Sequence, residues 1–178
     1  MYIIKYPEKY QFNNLGHVLC FMAGGCGDTE WREKFLDVLN KHVLNHLVIF
    51  DPYNDNITNT FSQIEWEYYH LNNFINKNFI FSVYFDKYTT QAISMFELGK
   101  ALALCKPSYV KVETGATQVS VVQNYGFPCV ISMHENSPIK QDLICQCGLM
   151  HEEAKVRTPK EHAMEVIRVY KDIRNQQV

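Results

Sequence analysis

No apolar run in this 178-residue chain approaches the ~20 residues that cross a bilayer. The first ten residues, with Lys5, Glu8 and Lys9 around Pro7, lack the apolar centre of a secretory signal. A soluble, cytoplasmic protein with no membrane partner is therefore expected. Basic residues are not gathered either: 17 Lys and Arg are scattered among 19 Asp and Glu, for a net charge of -2, so no stripe exists to neutralise a nucleic-acid backbone. The chain also lacks the two-residue cysteine spacing of common zinc sites. Cys145-Gln-Cys147, with His151 beyond it and Cys129 and His134 upstream, has the ligand types without the pattern, so neither a metal nor any other cofactor is expected. The remaining cysteines, 20, 26 and 105, lie in or beside apolar or glycine-rich stretches, and all six are expected to be reduced thiols. No internal repeat or low-complexity linker interrupts the chain, and 47% hydrophobic residues suffice for the core of a single domain spanning residues 1–178.

What is present reads as alternating strands and helices. His17 to Ala23 is a short apolar run ending in Gly24-Gly25-Cys26-Gly27-Asp28, and Trp31 to His42 is amphipathic: strand, glycine turn, helix. The turn suits either an anion near a helix N-terminus or a tight reversal, since it matches neither the dinucleotide fingerprint nor the P-loop. Leu47 to Phe50 is a second buried strand leading to a polar loop with Asp51 and Asn54. Thr60 to Ile75 is a helix whose periodicity puts Ile64, Tyr68, Leu71 and Ile75 inward. Gln63, Glu67 and His70 form a polar stripe on it, either solvated or lining a cleft. Asn78 to Phe85 is apolar on both faces, as in the middle of a parallel sheet. Tyr109 to Val112 and Pro128 to Ser132 read as further strands, with a loop and short helix over Thr114 to Tyr125. Residues 133 to 158 give no clear pattern, and Thr158 caps a last helix over Lys160 to Asn175, with Ala163, Val166, Ile167 and Tyr170 inward. Strand–helix alternation predicts a doubly wound α/β sandwich with about five parallel strands.

One helix carries a residue out of place. In Thr90 to Cys105, Ile93, Glu97, Ala101 and Leu104 share a stripe, so Glu97 falls where a core residue belongs. Burying a lone carboxylate costs several kcal/mol or raises its pKa, so the position calls for a neighbouring cation or a cleft. Ligands in such folds collect at the carboxyl ends of the strands, which is where Gly24, Gly25, Asp51, Asn54 and the start of this helix converge. Its closeness to that start would also favour the ionised form of Glu97. Trp31 and Trp66 are expected in the core or an interface.

Phe21-Met-Ala-Gly-Gly25 with Trp31, then Gln63-Ile-Glu-Trp-Glu67, then Ile93-Ser-Met-Phe-Glu-Leu-Gly-Lys-Ala101, taken in order, resemble the nucleoside 2-deoxyribosyltransferase-like family over about residues 16 to 125. The resemblance implies a flavodoxin-like or Rossmann-like domain, usually a homo-oligomer, acting on the N-glycosidic bond of a nucleoside or nucleotide. It places Glu97 as the nucleophile on the sugar, with the glycosyl group passed to a second base or to water. Two acids that the family uses for the base and its proton correspond to His70 and Gln91 here. Catalytic roles therefore fall to Glu97, His70 and Glu67, and substrate contacts to Gly24, Gly25, Asp51, Asn54, Gln63, Gln91 and Ser94. Partner-subunit contacts would come from Gln123 and Asn124. The alternative is a nucleotide-binding or sequestering protein that keeps the scaffold with reduced catalysis.

Overall fold

A computed structural model of the chain describes residues 1–12, 16–25, 29–54, 60–73, 78–88, 91–105, 108–114, 117–123, 127–149 and 153–176. In chain order the elements are β1 (Tyr2–Lys5), β2 (Val18–Gly24), α1 (Glu30–Asn40), β3 (Leu47–Asp51), α2 (Thr60–Asn73), β4 (Phe79–Phe85) and α3 (Ala92–Cys105). There follow β5 (Ser108–Thr114), β6 (Thr117–Gln123), β7 (Cys129–Met133), α4 (Lys140–Leu149), β8 (Ala154–Val156) and α5 (Pro159–Asn175). Six strands form one all-parallel sheet in the order β1-β3-β2-β4-β7-β8.

Every residue of β2, β3 and β4 is buried, because both faces of the sheet are covered. The period of two sends Leu19, Phe21 and Ala23 to one side, against Trp66 of α2, Leu98, Ala101 and Leu102 of α3, and Leu143 of α4. Val18, Cys20 and Met22 go to the other side, against Trp31, Phe35 and Leu39 of α1 and Ala163, Val166, Ile167 and Tyr170 of α5. The architecture is a doubly wound α/β sandwich of the flavodoxin-like kind. After β2 the chain moves outward to β3, then crosses back to β4 on the other side of β2. The adjacent carboxyl ends of β2 and β4 therefore form the switch point at which such sheets bind ligands.

The last helix starts as expected. Glu161 N–H donates to Thr158 Oγ1 (3.3 Å) while Thr158 N–H donates to Glu161 Oε2 (2.7 Å), a reciprocal cap followed by Pro159. His162, one turn in, is fully buried between Ser82 Oγ (2.8 Å from Nε2) and Ser132 Oγ (2.7 Å from Nδ1), and burial pushes its pKa down to about 3.

Three expectations need correction, and two are filled out. The expected sheet of about five parallel strands is present with six, and it includes the short edge strands β1 and β8, which carry too few residues to show a pattern in sequence. The stretch 133 to 158 contains α4, whose inward face is little more than Leu143 and Cys147. Tyr109 to Val112 belongs to β5, which pairs antiparallel with β6 outside the main sheet. Where a loop and short helix were expected, residues 117–123 form β6, in keeping with the β-branched run Val119-Ser-Val-Val122. Finally, α2 is turned relative to its predicted stripe. Ile64 and Tyr68 are exposed while Trp66, Glu67 and His70 face inward. Ile75 lies outside the described residues.

Candidate active site

Two glycines shape the end of β2. Gly24 has φ +144°, and a Cβ there would sit 2.5 Å from the Tyr84 carbonyl oxygen and 2.7 Å from the Trp31 ring. A Cβ on Gly25 would lie 2.2 Å from Asp86 Oδ2 and 3.0 Å from Gln91 Nε2. Their bareness lets α1, β4 and the start of α3 close onto one turn. Trp31 Nε1 donates to the Gly25 carbonyl (3.1 Å), and its ring stacks on Tyr84, so Trp31 is a core residue, as is Trp66.

Buried Arg32 fastens this turn to β3. Its guanidinium donates to the Met22 carbonyl (3.2 Å), the Gly24 carbonyl (3.0 Å) and Asp51 Oδ1 (2.7 Å). Asp51 also accepts from Tyr53 N–H (3.1 Å) and has Lys5 Nζ 3.7 Å away. The structure thus uses Asp51 as the counter-ion of Arg32 rather than as a ligand contact. Asn54 is likewise engaged elsewhere, donating to the Tyr6 carbonyl (2.8 Å). Arg32 escaped the sequence reading, although its spacing to Phe35 and Leu39, three and seven residues on, places it on the inward stripe of α1.

Beside this turn lies a cavity of about 370 Å³, within the range of small-molecule sites. Gly24, Gly25 and Pro52 form its floor. Thr60, Gln63, Ile64 and Glu67 come from α2, and Gln91, Ile93, Ser94 and Glu97 from the start of α3. Five of the substrate contacts or catalytic groups expected from sequence beyond the glycines, Gln63, Glu67, Gln91, Ser94 and Glu97, line it, and the decisive pair is acidic. Glu67 and Glu97, each 8% exposed, are hydrogen-bonded carboxyl to carboxyl. Gln63 Nε2 donates to Glu67 Oε1 (2.8 Å) and orients it.

Such a bond requires a proton. Burial first, and then the charge of Glu67, push Glu97 up to about 8, against the opposing pull of Arg32 and Lys100. Burial also raises Glu67, opposed by the Gln63 bond, the Arg32 charge and the bond to Glu97. Glu97, held at about 8, is therefore the member of the pair that carries a proton at neutral pH. The expectation that the helix dipole keeps Glu97 ionised is overturned: Glu97 lies beyond the first turn of α3, where the dipole has faded and desolvation wins. Its partner is not a cation, since Lys100 Nζ donates to Asn72 Oδ1 (2.6 Å) and lies over the Tyr68 ring.

His70 does not join the pair. Its Nδ1 lies 2.7 Å from the Trp66 carbonyl and so donates, leaving Nε2 to accept from Tyr10 N–H (3.4 Å). Phe12, Phe50, Trp66 and Tyr69 surround the ring. Burial lowers its pKa. His70 therefore pins the N-terminal segment to α2, and its expected place beside Glu97 is corrected. Its position three residues after Glu67 carries it around and along the helix, away from the cavity.

Gln91 is the other unusual residue. It has φ +48°, its carbonyl accepts from Met95 N–H (3.0 Å) at the start of α3, and both atoms of its buried side-chain amide lack a hydrogen-bond partner among the described residues. A second cavity, of about 600 Å³, lies across the switch point between the starts of α1 and α5. Its charges are largely satisfied among themselves, with Lys34 on Glu30, Glu161 in the α5 cap and Arg157 on Ser132 Oγ, and it contains no carboxyl pair. The smaller cavity is therefore the candidate site.

Of the potential metal ligands, Cys145 is exposed and Cys147 buried on α4, and His151 lies outside the described residues. Among the described residues no cluster of three His, Cys, Asp or Glu side chains could hold a metal. Gln123 ends β6, and Cys26, Gly27, Asp28 and Asn124 lie outside the described residues. Among the described residues, no helix is long and apolar enough to cross a membrane.

The model of the family described as nucleoside 2-deoxyribosyltransferase like matches residues 17–116, more than half of the chain. The chain belongs to the nucleoside 2-deoxyribosyltransferase-like family. The matched region runs from β2 through β5 and includes every residue lining the 370 Å³ cavity. No curated protein matches the chain.

Proposed function

We propose that the protein is an enzyme acting on the N-glycosidic bond of a nucleoside or nucleotide, with Glu97 as nucleophile and Glu67 as its proton partner. The observation that carries this reading is the hydrogen-bonded carboxyl pair in the wall of a nucleoside-sized cavity, within the family's matched region. A bound substrate would separate the two carboxyls, with the proton passing across their shared bond to Glu67. A Glu97 oxygen then bonds to the anomeric carbon as the carbon–nitrogen bond breaks, and the base leaves with the electron pair and takes up the Glu67 proton. Water or a second base, deprotonated by Glu67, attacks the same carbon, and the Glu97 carboxylate departs. Both displacements pass through oxocarbenium-like transition states, as in retaining glycosidases.

Only carboxyls of the chain take part, so this chemistry needs no cofactor. Gln63 orients Glu67, while Ser94, Gly24 and Gly25 contact the substrate. The reading includes a cytoplasmic location and a homo-oligomer. Phe61 and Tyr68 on α2 and Ile93 and Phe96 on α3 present exposed apolar surface on the two helices that wall the cavity, suited to a second copy. Light scattering tests this association.

The second reading, a nucleotide-binding protein with reduced catalysis, is favoured by the neutral amide of Gln91 and by the high pKa of Glu97. Incubation with a panel of nucleosides and nucleotides, with free base followed by chromatography, separates the two. Base release that disappears in Glu97→Ala supports the enzyme. Binding without release supports the sequestering protein, and full activity in Glu97→Ala removes Glu97 from the mechanism.

A further inference from the structure

The floor of the cavity rests on a buried ion pair. Gly24 and Pro52 line that floor. Arg32 of α1 donates to the Gly24 carbonyl (3.0 Å) and to Oδ1 of Asp51 (2.7 Å), the residue just before Pro52. Both side chains are buried, and among the described residues Arg32 is the only arginine or lysine that is. Burying two charges is expensive, and apolar side chains of similar size would tie a helix to a strand end as well or better. Their place under the floor gives the charges something further to act on.

Few charges face the carboxyl pair. Arg32 acts on both Glu67 and Glu97 and favours their ionised forms. Lys100, on α3, acts on Glu97 while bonded to Asn72. Asp51 holds Arg32 from β3, and half-exposed Lys5 of β1 stands 3.7 Å from Asp51, where water screens it. Asp86, at the end of β4, packs against Gly25, and His70 is turned away toward Tyr10. Arg32 is thus the buried cation that the pair feels, and Asp51, in contact with it, cancels part of its field. An unopposed guanidinium would pull Glu97 toward full ionisation. With no guanidinium the proton would be held too tightly to pass on.

We propose that Arg32 and Asp51 are positioning residues for the proton of the acid pair: Arg32, anchored under Gly24, supplies the positive field at Glu67 and Glu97, and Asp51 sets its strength. This rests on the reading of Glu67 and Glu97 as the acid pair of the proposed enzyme. It concerns the ligand-free protein, however, and is measured there without turnover.

The test follows the side-chain carboxyl carbons of Glu67 and Glu97 by NMR through a pH titration of wild type, Asp51→Asn and the double variant Asp51→Asn/Arg32→Met, with signals assigned from Glu67→Gln and Glu97→Gln. Asn at this position keeps an acceptor for Arg32 and for Tyr53 N–H and removes the charge, and the double variant leaves no unpaired charge behind. The Glu97 midpoint is expected at about 8 in wild type. Asp51→Asn should lower it by roughly 1 pH unit or more, and adding Arg32→Met should return it to the wild-type value or above. A merely structural role predicts the reverse order: each loosened contact admits water, relieves desolvation and moves Glu97 further down. In base release from nucleosides, the alkaline limb of the pH profile should shift in the same order as the midpoints. A double variant that titrates below wild type, or an Asp51→Asn midpoint that does not fall, overturns the proposal. A wild type in which neither carboxyl titrates above the ordinary range overturns both the proposal and the buried acid pair. The expected displacements without base release from any nucleoside or nucleotide support the proposal while removing the catalytic reading.

Discussion

Replacing Glu97 with Gln should make the protein more stable in neutral and alkaline solution, and less sensitive to pH. In the unfolded chain the carboxyl titrates near 4.5, whereas in the folded protein burial and Glu67 hold it at about 8. Between those values the folded protein binds more protons than the unfolded chain, so stability falls as pH rises through the interval. At about 1.4 kcal/mol per pH unit, the full interval is worth at most ~5 kcal/mol, of which ~3 kcal/mol is already lost at pH 7. Glu97→Gln keeps a donor toward Glu67, removes the titration and leaves the cavity volume nearly unchanged. For a chain of this length the gain corresponds to a rise in Tm of up to about 10 °C at pH 7, larger at pH 8 and vanishing near pH 4. Thermal melts of both proteins from pH 4 to pH 9 measure it. Exposed acids such as Glu30 and Glu161 contribute equally to both curves and drop out of the difference. Parallel curves would refute the buried, proton-sharing pair and with it the electrostatic basis of the proposed chemistry.

His162 should act in the opposite direction. Its folded pKa of about 3 lies below the ordinary 6.5, so stability is full above pH 6.5 and declines as pH falls toward 3, and His162→Gln should flatten that acid limb in urea titrations. Arg32→Met should cost ~3 to 5 kcal/mol, because it leaves Asp51 buried and two strand-end carbonyls without their donor; a loss below ~1 kcal/mol by urea unfolding would contradict the described network. Gly24→Ala should be more damaging than Gly25→Ala, since the new methyl meets the Tyr84 backbone at positive φ, whereas at Gly25 it meets the tips of Asp86 and Gln91. The Gly25 variant should instead show its main defect in ligand affinity, read by calorimetry beside the melting curve.

The position of Glu97 on an apolar stripe was enough to single it out, because a charge among Ile93, Ala101 and Leu104 breaks the helical pattern. The same reasoning misplaced α2. Its apolar residues occur on more than one side, so periodicity chose Ile64 and Tyr68, while packing turned Trp66, Glu67 and His70 inward. His70 then looked like a proton carrier for Glu97, although its nitrogens are spent on Trp66 and Tyr10. The hairpin of β5 and β6 was misread in part because two short β-branched runs can be read singly as strand or loop until they are paired.

By itself, the order of residues determined the strand–helix alternation, the buried central strands, the glycine turn at the switch point and the family, since each is written in local composition and spacing. Only the tertiary structure decided that Glu67 meets Glu97, that Arg32 takes Asp51 out of the site, and that Gln91 holds an unmade pair of hydrogen bonds. The physical reason is that a carboxyl's proton affinity and an amide's satisfaction depend on which distant side chains share its burial. Those neighbours lie 30 residues apart in the chain for Glu67 and Glu97 and 65 for Arg32 and Glu97, and packing alone brings them together.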